Sequence, residues 1–179
     1  MAEAFARRLF ASRELDVSVA SCGLLEGGRP PVDEVIDLMR ERGIDVSGHR
    51  SQTVSSELLG QASLVIGMER RHIEEIVAIA PEAFVRSFTL PELVRRIEGL
   101  PPSEGEPRSI AESVARIATT RTNRDLLRIT VADEILDPIG RSGRTFDQVA
   151  NRIEDLLGRF VNAQWPVDDA YAALSGPER

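Results

Sequence analysis

The stretch that most limits what this chain can fold into is Leu64-Val65-Ile66-Gly67-Met68, a short uninterrupted apolar run between segments of helical period. A run of this length with no polar alternation reads as a strand buried on both faces, and such strands belong to parallel sheets covered by helices. Glu69 to Ile79 follows as a helix that stops near Pro81. The same alternation recurs on either side. Val17-Ser18-Val19-Ala20-Ser21 and Phe84-Val85-Arg86-Ser87-Phe88 read as further strands. Pro30-Pro31 opens a helix whose stripe is Val32, Val35, Ile36 and Met39, with Gly43 as its left-handed stop. Ser55 caps a short helix through Gln61, and Pro91 to Ile97 is another. Helices alternating with short strands predict one α/β domain built on a parallel sheet.

Two helices bracket this region. Residues 2–13 have a broad apolar face from Ala4, Phe5, Leu9 and Phe10, but no capping residue and no strand ahead of them. The helix reads as though the chain is entered in the middle of a unit. Near the other end, Thr145-Phe146-Asp147-Gln148 reads as a capping box. It opens a long helix lined by Phe146, Val149, Ala150, Ile153, Leu156, Leu157, Phe160 and Val161. Between them, Pro101 to Pro107 is a cluster of helix breakers, and Ser109 with Glu112 fits a second capping box. Arg108, Arg116, Arg121, Arg124 and Arg128 in this region read as a solvated basic face, or less readily as a patch for an acidic partner. The tail from Pro166 is expected to be loosely held.

Composition narrows the function classes. A net charge of -7 argues against general nucleic-acid binding. All 22 basic residues are arginine, which fits codon bias better than a functional preference. No apolar run is long enough to span a membrane, and the first residues do not form a secretory signal. A single cysteine, Cys22, permits no internal disulfide and fits a reducing, cytoplasmic setting.

Asp137-Pro138 is the stretch with chemical promise. Proline restricts the preceding residue to extended backbone, so Asp137 sits on stiff, non-helical chain. A carboxylate so held can act as a general acid or base, and it can equally be a plain turn aspartate. On local sequence alone the turn reading is the stronger.

Taken together, these pieces resemble the low-molecular-weight protein-tyrosine phosphatase family. The matching stretches are Met1-Ala2-Glu3-Ala4, Ser21-Cys22-Gly23, Gly43-Ile44-Asp45-Val46-Ser47-Gly48-His49-Arg50, Leu64 to Arg70, and Asp137-Pro138, in the family's order. The resemblance implies a three-layer parallel sheet, with a phosphatase-like domain over 1–165, an insertion at about 101–128 and a loose tail at 166–179. In that family the first strand leads into a loop of a cysteine, five residues and an arginine, followed by the helix that here begins Met1-Ala2-Glu3. The cysteine thiolate attacks phosphorus, the arginine and backbone N–H groups hold the phosphate, and the Asp of the Asp-Pro loop protonates the leaving oxygen.

By that resemblance Asp137 matches the general acid, and Ser21 and His49 match residues that brace the phosphate loop. The central first strand and the loop fall before Met1, so no residue matches the nucleophile or the phosphate-binding arginine. Cys22 is a poor substitute: six residues separate it from Arg29, and Glu26 would repel phosphate. It reads instead as a small buried residue at a strand end. Ile139-Gly140 stands where many family members carry aromatic residues, so aryl phosphate specificity is not implied.

The expected activity is phosphate monoester hydrolysis on a phosphoprotein or a small phosphate ester, with no metal or cofactor and no turnover by these residues alone. The alternatives are a pseudophosphatase with a binding role, and a single-cysteine, thiol-dependent arsenate reductase in a longer chain. The sequence leaves the oligomeric state open.

Overall fold

A computed structural model describes residues 1–101, 109–121 and 133–166. In chain order the elements are α1 (Ala2–Ser12), α2 (Asp33–Glu41), α3 (Ser56–Gln61), β1 (Val65–Gly67), α4 (Arg70–Ile79), a 3-10 turn (Pro81–Arg86), β2 (Ser87–Thr89), α5 (Leu90–Glu98), α6 (Ile110–Thr119) and α7 (Gly143–Gln164). The class is α/β, as expected. Among the described residues the sheet has two strands, β1 and β2, which run parallel with Val65 opposite Ser87 and Ile66 opposite Phe88.

Side chains alternate across a strand, so this register sends the two pairs to opposite faces. Ile66 and Phe88 join the larger core, which α1, α5 and α7 build from Phe5, Phe10, Leu93, Val94, Val149, Ile153, Phe160 and Val161. Val65 packs instead on a smaller cluster of Leu59, Ile73, Ile76, Ala80 and Ala83 from α3, α4 and the 3-10 turn. Helices therefore cover both faces of the sheet.

Several elements begin where local chemistry said they should. The Ser55 hydroxyl accepts from Leu58 N–H at 3.2 Å, and the Ser109 hydroxyl accepts from Glu112 N–H at 3.2 Å. Gly43 ends α2 with φ +72°, a conformation that strains a residue with a Cβ.

Others differ from expectation. Residues 17–21 form no strand and pair with none among the described residues, although Val17 and Val19 are half-buried against the core. Their carbonyls find side chains instead: Val19 accepts from Arg7 at 2.7 Å and Ser21 from Gln52 at 2.8 Å. A strand needs a neighbour as well as an alternating pattern. Residues 84–86 lie in the 3-10 turn, which Pro81 starts, so β2 covers only Ser87–Thr89. Val65 and Ile66 are half-buried rather than enclosed on both faces.

The remaining differences are at helix starts. Pro30 and Pro31 precede α2, whose cap is Val32. α7 begins two residues before Thr145 would cap it, because the Ser142 carbonyl already accepts from Thr145 N–H at 2.8 Å.

Arg121 also departs from the solvated face expected of it. Its guanidinium lies 4.6 Å and 4.1 Å from the ring centres of Phe84 and Phe88 and pairs with Glu92 at 3.1 Å. Arg116 is half-buried and donates to the Pro101 carbonyl at 2.8 Å, whereas Arg108, Arg124, Arg128, most of the breaker cluster and the chain after Pro166 lie outside the described residues.

Candidate functional site

The expected bracing residues Ser21 and His49 come from segments far apart in the chain and meet at Glu3. Glu3 lies in the first turn of α1, where an acid is favoured by the exposed N–H groups of the helix end. Its carboxylate accepts the Ser21 hydroxyl, lies 3.8 Å from His49 Nδ1, and pairs with Arg7 one turn on at 2.6 Å. Glu3 is mostly buried, with 14% of its side chain exposed. The loop carrying His49 is folded by its own polar groups. Asp45 accepts from Ser47 N–H at 2.9 Å, and that bond, with one from the Ser47 side chain, lowers the Asp45 pKa. Arg50 donates to the carbonyls of Ser47 and His49. A cavity of about 890 Å³ lies over this cluster, with Glu3, Arg7, Arg8, His49 and Arg50 in its wall.

Asp137 occupies a separate, well-anchored loop. Ile135 is buried and its N–H donates to the Met68 carbonyl at 2.8 Å, just beyond the end of β1. Pro138 is buried on the other side of Asp137. Asp137 itself is exposed, and its carboxylate accepts from Ile139 N–H at 2.9 Å, the bond of an Asx turn. Gly140, at φ +78°, closes the turn. The arrangement holds an exposed carboxylate on rigid chain between two buried anchors, which suits proton transfer to a bound group. Leu136 and Ile139 flank it at 55% and 64% exposure, an aliphatic rim where aromatic residues are absent. Asp137 makes no bond to the Glu3 cluster.

Cys22 is exposed, not the buried strand-end residue expected of it, because its segment loops out over residues 51–54. Partial burial of the sulfur pushes its thiol pKa up, which disfavours a thiolate. Four of the loop's N–H donors are also committed. Gly23 donates to Gln52 O, Gly28 to Ser51 O, Gly27 to Thr53 Oγ1 and Arg29 to Ser51 Oγ. Those groups are therefore turned toward protein oxygens rather than gathered around an anion. Among the described residues, no group of three or more His, Cys, Asp or Glu side chains could hold a metal ion.

A model of the family described as low molecular weight phosphotyrosine protein phosphatase matches residues 1–100. The chain belongs to that family. It is 32% identical over 84 residues to the low molecular weight protein-tyrosine-phosphatase Etp of Escherichia coli K12, which covers 46% of this chain and 55% of Etp. It is 36% identical over 70 residues to Wzb of the same organism, covering 38% of this chain and 46% of Wzb. The chain thus spans about half the length of the curated relatives it matches. Its fold is similar to the YwlE arginine phosphatase from Geobacillus stearothermophilus, with a TM-score of 0.64 at 20% identity over 99% of this chain and 89% of that one. It is equally similar to a low molecular weight phosphatase from T. tengcongensis, with a TM-score of 0.65 at 23% identity over 90% and 87%. Those two likenesses establish a low molecular weight phosphatase fold. Among the described residues, no helix is long and apolar enough to cross a membrane.

Sequence reading missed Glu3 as the meeting point. Its only local signal is an acid in the first turn with Arg7 four residues on, a pattern common to many helices.

Proposed function

We propose that residues 1–165 form the acid-bearing part of a phosphate monoester hydrolase that works through a cysteinyl-phosphate. In this reading the thiolate attacks phosphorus, the P–O bond to the leaving group breaks, and Asp137 gives its proton to the departing oxygen. The Asp137 carboxylate then takes a proton from water as that water displaces the cysteine sulfur and releases phosphate. Ser21 and His49, through Glu3, brace the loop that holds the phosphate. The observation that carries the reading is Asp137 itself, exposed between the buried anchors Ile135 and Pro138 in a chain of this family.

In this reading the nucleophile is not among these 179 residues, whose one cysteine has a raised pKa and a loop whose Gly23, Gly27, Gly28 and Arg29 N–H groups are already engaged. The chain as given is therefore expected to show no turnover. The exposed aliphatic rim at Leu136 and Ile139 supports a phosphorylated substrate selected by something other than an aromatic ring. The structural likeness to an arginine phosphatase agrees with that breadth.

The test is an aryl phosphate assay and a phosphoprotein assay on this chain and on one extended upstream by a strand and a Cys-x5-Arg loop. The extended chain should turn over, and Asp137→Asn in it should lower the rate by about 10²–10⁴-fold on esters with poor leaving groups. Cys22→Ala should leave the rate unchanged. Activity in the short chain that survives Cys22→Ala would overturn the mechanism. A folded extended chain that binds a phosphopeptide without turnover would favour a pseudophosphatase, and thiol-dependent arsenate turnover alone would favour an arsenate reductase.

A further inference from the structure

The loop that carries Asp137 rests on the first turn of α4, and one side chain closes that junction. Ile135 N–H donates to Met68 O at 2.8 Å, and the Glu134 carboxylate accepts from Arg70 N–H at 3.2 Å. Both bonds require residues 68–70 to hold the conformation of a helix cap, with Glu69 extended at φ -126° and ψ 157°. His72 enforces that conformation. Its Nδ1 accepts from Met68 N–H at 3.3 Å and from Glu69 N–H at 3.2 Å, its half of a capping box with Glu69. The helix turn also sits tight against the strand end: a Cβ on Gly67 would lie 3.1 Å from the Cβ of His72.

A ring nitrogen that accepts two N–H donors carries no proton, whereas both nitrogens of an imidazolium donate. The cap and the charged ring are therefore mutually exclusive. We propose that neutral His72 is a positioning residue for Asp137: it fixes the backbone from which the Asp137 loop hangs, and protonation at Nδ1 releases that backbone and the loop with it.

The surroundings set the balance. Burial opposes the imidazolium and dominates; Glu69 favours it, Arg71 opposes it, and Asp137 and Glu134 favour it. The net result holds the His72 pKa below the ordinary histidine value. A folded pKa below the unfolded one means that the cap's stability is present above the unfolded value. It is lost as pH falls through the folded value. Asp137 also lies close enough for its charge to act on the ring, so the two groups titrate as neighbours. The catalytic meaning of this coupling rests on Asp137 being the general acid; the mechanical coupling does not.

The chain has two histidines, which makes the test direct. The 179-residue protein is titrated with acid by NMR, with His49→Gln used to assign the ring signals. The His72 ring should titrate below the ordinary histidine value. The amides of Met68, Glu69, Ile135 and Ile139 should shift with that same midpoint. Exchange of the Ile135 amide, corrected for its intrinsic pH dependence, should quicken about tenfold or more below it. In His72→Asn, whose side-chain oxygen can accept but does not titrate, the inflection should vanish and exchange should stay slow. In His72→Ala exchange should be fast at every pH, and Asp137→Asn should move the His72 midpoint further down. Ile135 and Ile139 amides with no inflection at the His72 midpoint would overturn the proposal, as would slow Ile135 exchange in His72→Ala. None of these readouts needs turnover, so their failure is distinct from failure of the phosphatase reading, which the ester assay decides.

Discussion

Glu92→Ala is a perturbation whose effect the structure allows to be worked through. Glu92 Oε1 accepts from Arg96 Nε at 2.8 Å and from Arg121 Nε at 3.2 Å, and its Oε2 accepts from Arg121 Nη2 at 3.1 Å. The three side chains are 14%, 7% and 10% exposed, so this is a buried triad and not a surface pair. Truncating the carboxylate removes the counterion that Arg96 and Arg121 share, and arginine cannot shed its proton to escape. They cannot readily swing out either. Arg121 is tied to the carbonyls of Phe84 and Ser87, and Arg96 is tied to Thr120.

Removing one partner of such a group costs about 3–5 kcal/mol. With a urea slope of about 2 kcal/mol per M, the lower figure moves the unfolding midpoint down by about 1.5 M. The pH dependence gives an independent check. Burial raises the Glu92 pKa, but the bonds from Arg121 and Arg96 outweigh it and leave it below the ordinary glutamate value. The triad's contribution is therefore present above the unfolded pKa and lost as pH falls through the folded one. Urea titrations of the two proteins by circular dichroism, from neutral into the acid range, should show a gap that narrows on acidification. A midpoint change under about 0.5 M at neutral pH, or a gap independent of pH, would refute the reasoning.

Three further perturbations are measurable in the same way. Gly67→Ala puts a methyl 2.9 Å from the Ile73 side chain and 3.1 Å from His72, and should destabilise by about 1–3 kcal/mol. Ser55→Ala removes the acceptor for Leu58 N–H at the start of α3 and should cost about 1 kcal/mol in denaturant titration. Leu93→Ala empties a fully buried position of α5 against the core and should cost about 2–5 kcal/mol, lowering the thermal midpoint accordingly.

The sequence by itself determined the features that act within a few residues of each other. The Ser55 and Ser109 caps, the left-handed Gly43 and the apolar stripe of α7 depend on neighbours one turn away, and each was legible. The stiffness of the Asp137 loop was legible for the same reason, since Pro138 restricts the residue before it. Tertiary structure decided whatever needed a partner from elsewhere. Val17 and Val19 alternate like a strand, yet with no neighbouring strand among the described residues their segment gives its carbonyls to Arg7 and Gln52. Arg121 belongs to an arginine-rich stretch that looks solvated, but Glu92, 29 residues earlier, draws it into the core. Glu3 becomes a hub only when Ser21 and His49 are packed beside it. His72 becomes a support for Asp137 only because β1 ends where that loop crosses. Local backbone chemistry repeats along any chain of the right composition, whereas a pairing across 60 or more residues, such as Glu134 with Arg70, exists only after the core has closed.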